Sequence, residues 1–66
     1  MIVTANGAPV ELPEGATVAD LLAALHLTGR VVVVERNGEP VDRLQVVTTV
    51  LCPGDHCEVV RAVAGG

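Results

Sequence analysis

Met1-Ile2-Val3-Thr4-Ala5-Asn6-Gly7-Ala8-Pro9-Val10-Glu11-Leu12 opens the chain and reads as a β-hairpin. Val3 and Ala5 alternate with Ile2 and Thr4, the two-residue period of a strand. Asn6-Gly7 supplies the two positive-φ positions of a type I′ turn, after which Val10 and Leu12 alternate around Glu11. Pro9 has no N–H to give to a ladder, so it belongs at the start of the second strand or on a sheet edge.

Beyond the hairpin, Pro13-Glu14-Gly15-Ala16 breaks the strand, and Thr17 with Asp20 three residues later has the spacing of a capping box. A helix is predicted from Val18, with Val18, Leu21, Leu22 and Leu25 on one apolar face and Thr28-Gly29 as its end. That face packs on a sheet. Val31-Val32-Val33-Val34 is a short β-branched run, expected to be the central strand. Asn37-Gly38 makes a second tight turn, and Pro40 limits the segment after it to a short strand. Asp42 to Val50 has no clear period and reads as an irregular crossover. Pro53-Gly54-Asp55 is a turn into a last strand over Cys57 to Val60, with Cys57 and Val59 on one face and Glu58 and Val60 on the other.

Sixty-six residues make one domain, with a core that must use nearly every apolar side chain it has. None of those side chains is aromatic and fourteen are valine, which favours strands. Eight acidic residues against four basic ones, with no ring to stack on a base, argue against nucleic acid as a partner. Neither a signal peptide nor a spanning helix is apparent, so no membrane is expected and the chain is placed in the cytoplasm. Cys52 and Cys57 then stay as thiols.

The predicted body, residues 1–61, leads into Ala62-Val63-Ala64-Gly65-Gly66, a small-residue tail over 62–66. Gly-Gly is thin and flexible enough to enter a tunnel that a side chain would block. Extended at about 3.3 Å per residue, the tail carries a carboxylate roughly 16 Å from the body. The plainer reading is that termini are commonly frayed and small-residued, so the tail acquires a function only through the body that carries it.

The order of elements is that of the α+β β-grasp, or ubiquitin-like, fold: a mixed sheet of four to five strands with one main helix on one face. The chain resembles the thiamine-biosynthesis sulfur carriers of the ThiS family over essentially its whole length. The resemblance rests on Asn6-Gly7, Thr17-Val18 with Leu21-Leu22, Asn37-Gly38-Glu39 with Val41 and Arg43, Leu51 with Gly54-Asp55, Glu58-Val59-Val60, and Gly65-Gly66. Each is weak alone; together, in order and at this length, they are specific. Pro40, where the family usually has an aliphatic residue, and Cys52, where it has a polar one, depart from the pattern.

The resemblance implies that this is a carrier and not an enzyme. A ubiquitin-activating-type adenylyltransferase would spend ATP on the Gly66 carboxylate, and a sulfur donor such as a cysteine desulfurase would convert the adenylate to a thiocarboxylate. Thiazole synthase would receive the sulfur. Gly65, Ala64 and Val63 would thread the enzyme's channel, and no cofactor or metal would be bound by the carrier itself. Other readings stand beside this one. They are a small subunit of molybdopterin synthase, a protein modifier joined through Gly66, and a ubiquitin-like binding module that is never activated.

Two local features invite sharper readings. Cys52, His56 and Cys57 lie within six residues, but structural zinc takes four ligands and only a distant His26 remains, so Cys57 is read as a core residue and Cys52 as a loop residue. Val33 and Val60 point by alternation to the sheet face away from the helix. There they form either a partner-docking patch or scattered surface valines.

Overall fold

A computed structural model describes residues 1–62. Its elements run β1 (Ile2–Ala5), β2 (Ala8–Glu11), α1 (Val18–Ala24), β3 (Val32–Arg36), β4 (Glu39–Val41), a 3₁₀ turn (Arg43–Gln45) and β5 (His56–Arg61). The strands form one mixed sheet in the order β2-β1-β5-β3-β4. This is the β-grasp arrangement expected from the sequence. Both edge strands carry a proline near their middle, Pro9 in β2 and Pro40 in β4, which removes an N–H that another chain could pair with.

Both hairpins turn as their Asn-Gly pairs dictate, with φ of 52° and 83° at Asn6 and Gly7 and of 52° and 84° at Asn37 and Gly38. The central strand is β5, not the valine run. Val32–Arg36 lies second from the edge, between β5 and β4, and β5 runs parallel to β1 and antiparallel to β3. The apolar run suggested a strand buried on one side and partly covered on the other. In fact one face of β3 is open: Val34 is buried while Val33 is 58% exposed.

The helix begins where the capping box puts it. The Thr17 hydroxyl accepts from the Asp20 N–H, and the Asp20 carboxylate accepts from the Thr17 N–H at 2.8 Å. The other free donors of the first turn are met by the crossover, with the Val18 N–H bonded to the Thr49 carbonyl and the Ala19 N–H to the Val46 carbonyl, both at 3.0 Å. The crossover is thus a fitted cap for the helix. Asp42 turns it with a 2.8 Å bond from the Leu44 N–H.

The helix ends one turn earlier than Thr28-Gly29 suggested. His26, at φ 59°, takes the left-handed position after the C-cap Leu25. The His26 N–H donates to the Ala23 carbonyl at 3.0 Å and the Leu27 N–H to the Leu22 carbonyl at 2.8 Å, the paired bonds of a Schellman motif. Leu27 then packs against the core, and that apolar contact draws the chain off the helix before glycine is reached. Gly29 serves the next turn, closed from Arg30 to Leu27.

The core lies between the sheet and α1. Val3, Ala5, Leu12, Val18, Leu21, Leu22, Val34, Leu51, Cys57 and Val59 are all buried in it. Among the described residues no helix is long and apolar enough to cross a membrane.

Candidate functional site

The site begins with how β5 is held, because β5 carries the chain to residue 62. On one side β5 pairs with β3 from Val32↔Arg61 to Arg36↔Cys57. On the other, β1 ends at Ala5, opposite Cys57. Asn6 takes over where β1 stops. Its N–H donates to the Cys57 carbonyl at 2.9 Å. Its side chain then accepts from the Val59 N–H at 2.7 Å and donates to the Val59 carbonyl at 3.0 Å. The last described residue is fixed too, with the Ala62 N–H bonded to the Val31 carbonyl at 2.9 Å.

The second hairpin holds the opposite end of β5. The His56 N–H donates to the Asn37 side chain at 2.9 Å, and the Asn37 N–H donates to the His56 carbonyl at 2.7 Å. Asn37 also reaches the buried carboxylate of Asp55 at 3.0 Å. Arg36 Nε and the Cys52 N–H each donate to that carboxylate at 2.8 Å. Burial works to raise the Asp55 carboxyl, but the bonds from Cys52, Asn37 and Arg36 outweigh it and hold the group below its ordinary value. The Asp55 hydrogen bond in turn pushes the Arg36 guanidinium up.

Sequence reading placed Asp55 only in a turn and missed this hub. The turn is present: Asp55 N–H to Cys52 carbonyl at 3.1 Å, with Gly54 at φ 83°. An Asp at the end of a Pro-Gly turn is a local signal for a side chain bonding back across it, as Asp55 does to Cys52. Nothing local points to Arg36 and Asn37, nineteen and eighteen residues earlier.

The cysteines and histidine of the Cys52–Cys57 segment are dispersed. Cys57 faces the core, where burial pushes its thiol up and keeps it neutral. His56, one residue earlier, faces the other way, with Nδ1 2.9 Å from the Thr4 hydroxyl. Cys52 is an exposed loop thiol contacted by Arg36 Nη2 at 3.5 Å.

Val33 and Val60 stand directly opposite each other on the open sheet face, 58% and 62% exposed. The next row on that face pairs Glu35 with Glu58, also exposed. The expected tail residues Val63, Ala64, Gly65 and Gly66 lie outside the described residues.

A sheet whose central strand is the last one, clamped at both ends and released beside Val31, is a platform for whatever follows residue 62. Comparison with known proteins agrees with that architecture. The chain is similar to the sulfur carrier protein ThiS of Bacillus subtilis (strain 168), 40% identical over 50 residues that make up 76% of each chain. It is also similar to the crystal structure of the thiamine biosynthesis protein ThiS from Geobacter metallireducens, with a TM-score of 0.82, 35% identity and full coverage of both chains. A solution structure of a thiamine biosynthesis protein from the same organism gives a TM-score of 0.78 at 36% identity, covering all of this chain and 88% of that one. The family model for ThiS matches residues 3–66, from the first strand through Gly65-Gly66, and the chain belongs to the ThiS family.

Proposed function

We propose that this chain is a sulfur carrier for the thiazole of thiamine, with Gly66 as the carrying residue. The observation that carries the reading is the match to the ThiS family through Gly66, on a body whose central strand is the last strand before the tail. The carrier acts as co-substrate, and the catalytic groups belong to its partners.

A carboxylate resists nucleophiles because its charge is shared by two oxygens. In the proposed cycle a Gly66 carboxylate oxygen attacks the α-phosphorus of ATP in a ubiquitin-activating-type enzyme, and pyrophosphate leaves. The outer sulfur of a persulfide on a cysteine desulfurase or related donor then attacks the acyl carbon, and AMP leaves. A thiol cleaves the acyl disulfide so formed, releasing the thiocarboxylate while the two remaining sulfurs pair as a disulfide. The resulting thiocarboxylate is a soft nucleophile that delivers sulfur to thiazole synthase without releasing free sulfide. This chemistry is that of the cytoplasm, where Cys52 and Cys57 remain thiols.

Residues 62–66 form the proposed tail, and 1–61 the body that presents it. Val63, Ala64 and Gly65 thread the enzyme's channel, while Val33 and Val60 form an apolar docking pair on the open face. Truncation tests this reading. Removing Gly66 withdraws the carboxylate by about 3.3 Å, and reacting atoms must lie within ~3–3.5 Å, so charging should be lost. Gly65→Val should fail by adding a β-branched side chain inside the channel. Both variants should melt like wild type, and normal charging of either would overturn the reading.

A further inference from the structure

The chain has four arginines and eight acidic residues; Arg30 and Arg61 border a hollow where residue 62 leaves the sheet, and Arg43 lines a groove that shares Arg30 and Val31 with that hollow. The hollow, of about 330 Å³, is bordered by Arg30, Val31, Arg61 and Ala62. Beside it, the apolar groove of about 390 Å³ has Leu22, Val34 and Val46 along it and Arg30 and Arg43 as its charged members. No Asp or Glu is among the described residues lining either one. The fourth arginine, Arg36, is at the far end of β3, paired with Asp55 at 2.8 Å. That is the one salt bridge among the described residues; Arg30, Arg43 and Arg61 are exposed and make none there.

In a chain with twice as many acids as bases, cations placed only for solubility would sit among the acids. Asp42 precedes Arg43 in the chain, but no Asp or Glu among the described residues lines the hollow or the groove that these three arginines border. We propose that Arg30, Arg43 and Arg61 form a cationic collar that docks on acidic side chains around the mouth of the adenylating enzyme's channel. An apolar side chain of that enzyme would occupy the groove. The proposal rests on the carrier reading above and names the partner chemistry for the tail's base.

Distance selects this occupant over the nucleotide. Threaded in extended form through the enzyme's channel, five residues at about 3.3 Å each would carry the Gly66 carboxylate, and with it the nucleotide's α-phosphorus, up to roughly 16 Å from the body. Arginines at the base of the tail therefore face the channel's rim. Exposed charges about a rim act mainly on encounter, and salt screens them over about 8–10 Å.

The test is the association rate of the carrier with its adenylating enzyme by stopped flow, at low and high salt and without nucleotide, alongside sulfur charging monitored by mass. Arg30→Glu with Arg43→Glu should slow association at least tenfold at low salt, and the gap should close at high salt. Arg30→Lys with Arg43→Lys should restore the rate, because charge and not the guanidinium fork does the steering. Melting curves check that each variant is folded, and Arg30→Gln with Arg43→Gln replaces the double Glu variant if it is not. An unchanged low-salt rate overturns the proposal. So does a loss seen only when nucleotide is present, or one confined to Glu35→Lys with Glu58→Lys. A wild-type carrier that associates but never gains sulfur refutes the carrier reading instead, while the rate comparison still decides the collar.

Discussion

The side-chain amide of Asn6 pairs with both backbone groups of Val59, accepting at 2.7 Å and donating at 3.0 Å. It makes the two bonds that another residue of β1 would have made. One residue thus turns the first hairpin and extends the sheet along β5, three residues before Ala62. Asn6→Gly keeps the positive φ but removes the amide. The expected loss is about 1–3 kcal/mol in denaturant unfolding, because Val59 keeps a donor and an acceptor without partners. Amide exchange should accelerate most at Val59. Unchanged stability and protection would show that the clamp is incidental.

Asp55 sets the acid limit. Its folded carboxyl lies below the ordinary value, so its contribution is fully present above the unfolded carboxyl's pKa. That contribution is lost as pH falls through the depressed folded value. Asp55→Asn should destabilise the domain near neutrality by about 1–3 kcal/mol and flatten the stability–pH curve on its acid side. Parallel curves for variant and wild type would refute the assignment.

His26 occupies a left-handed position at φ 59°, where a side chain is disfavoured by about 1–2 kcal/mol. Glycine relieves that strain but gains freedom in the unfolded chain. His26→Gly should therefore stabilise by about 0.5–1 kcal/mol, a melting rise of a few degrees in so small a domain. A fall in melting temperature would mean that the imidazole does more than cap.

Leu22 is buried in the core and accepts, through its carbonyl, the bond that closes the helix. Leu22→Ala should cost ~2–5 kcal/mol, a large share of the stability available to 66 residues. A melting temperature equal to wild type would contradict the packing.

Local chemistry was readable where one residue or one period decides it. The two Asn-Gly turns, the Thr17–Asp20 box, the apolar stripe of the helix and the alternation of Cys57 and Val59 each follow from a rule spanning a few residues. The order of strands in space does not. Four consecutive valines looked central, yet β5, with an acid and a histidine on its open face, took the middle because both hairpins offer it a side-chain amide. Pairings such as Asn6 with Val59 and Arg36 with Asp55 join residues 53 and 19 positions apart, and no local pattern signals them. The helix end was misplaced because Gly29 is the better left-handed residue, but the pull of Leu27 into the core acts first.

The central claim is that Gly66 carries sulfur. Its most direct test is the intact mass of the purified protein after incubation with its adenylating enzyme, ATP and a sulfur donor, followed by mapping of the C-terminal peptide. The account predicts a gain equal to one oxygen replaced by sulfur, confined to that peptide and trapped there by an alkylating reagent. An unchanged mass, or sulfur found instead on Cys52 or Cys57, would contradict it.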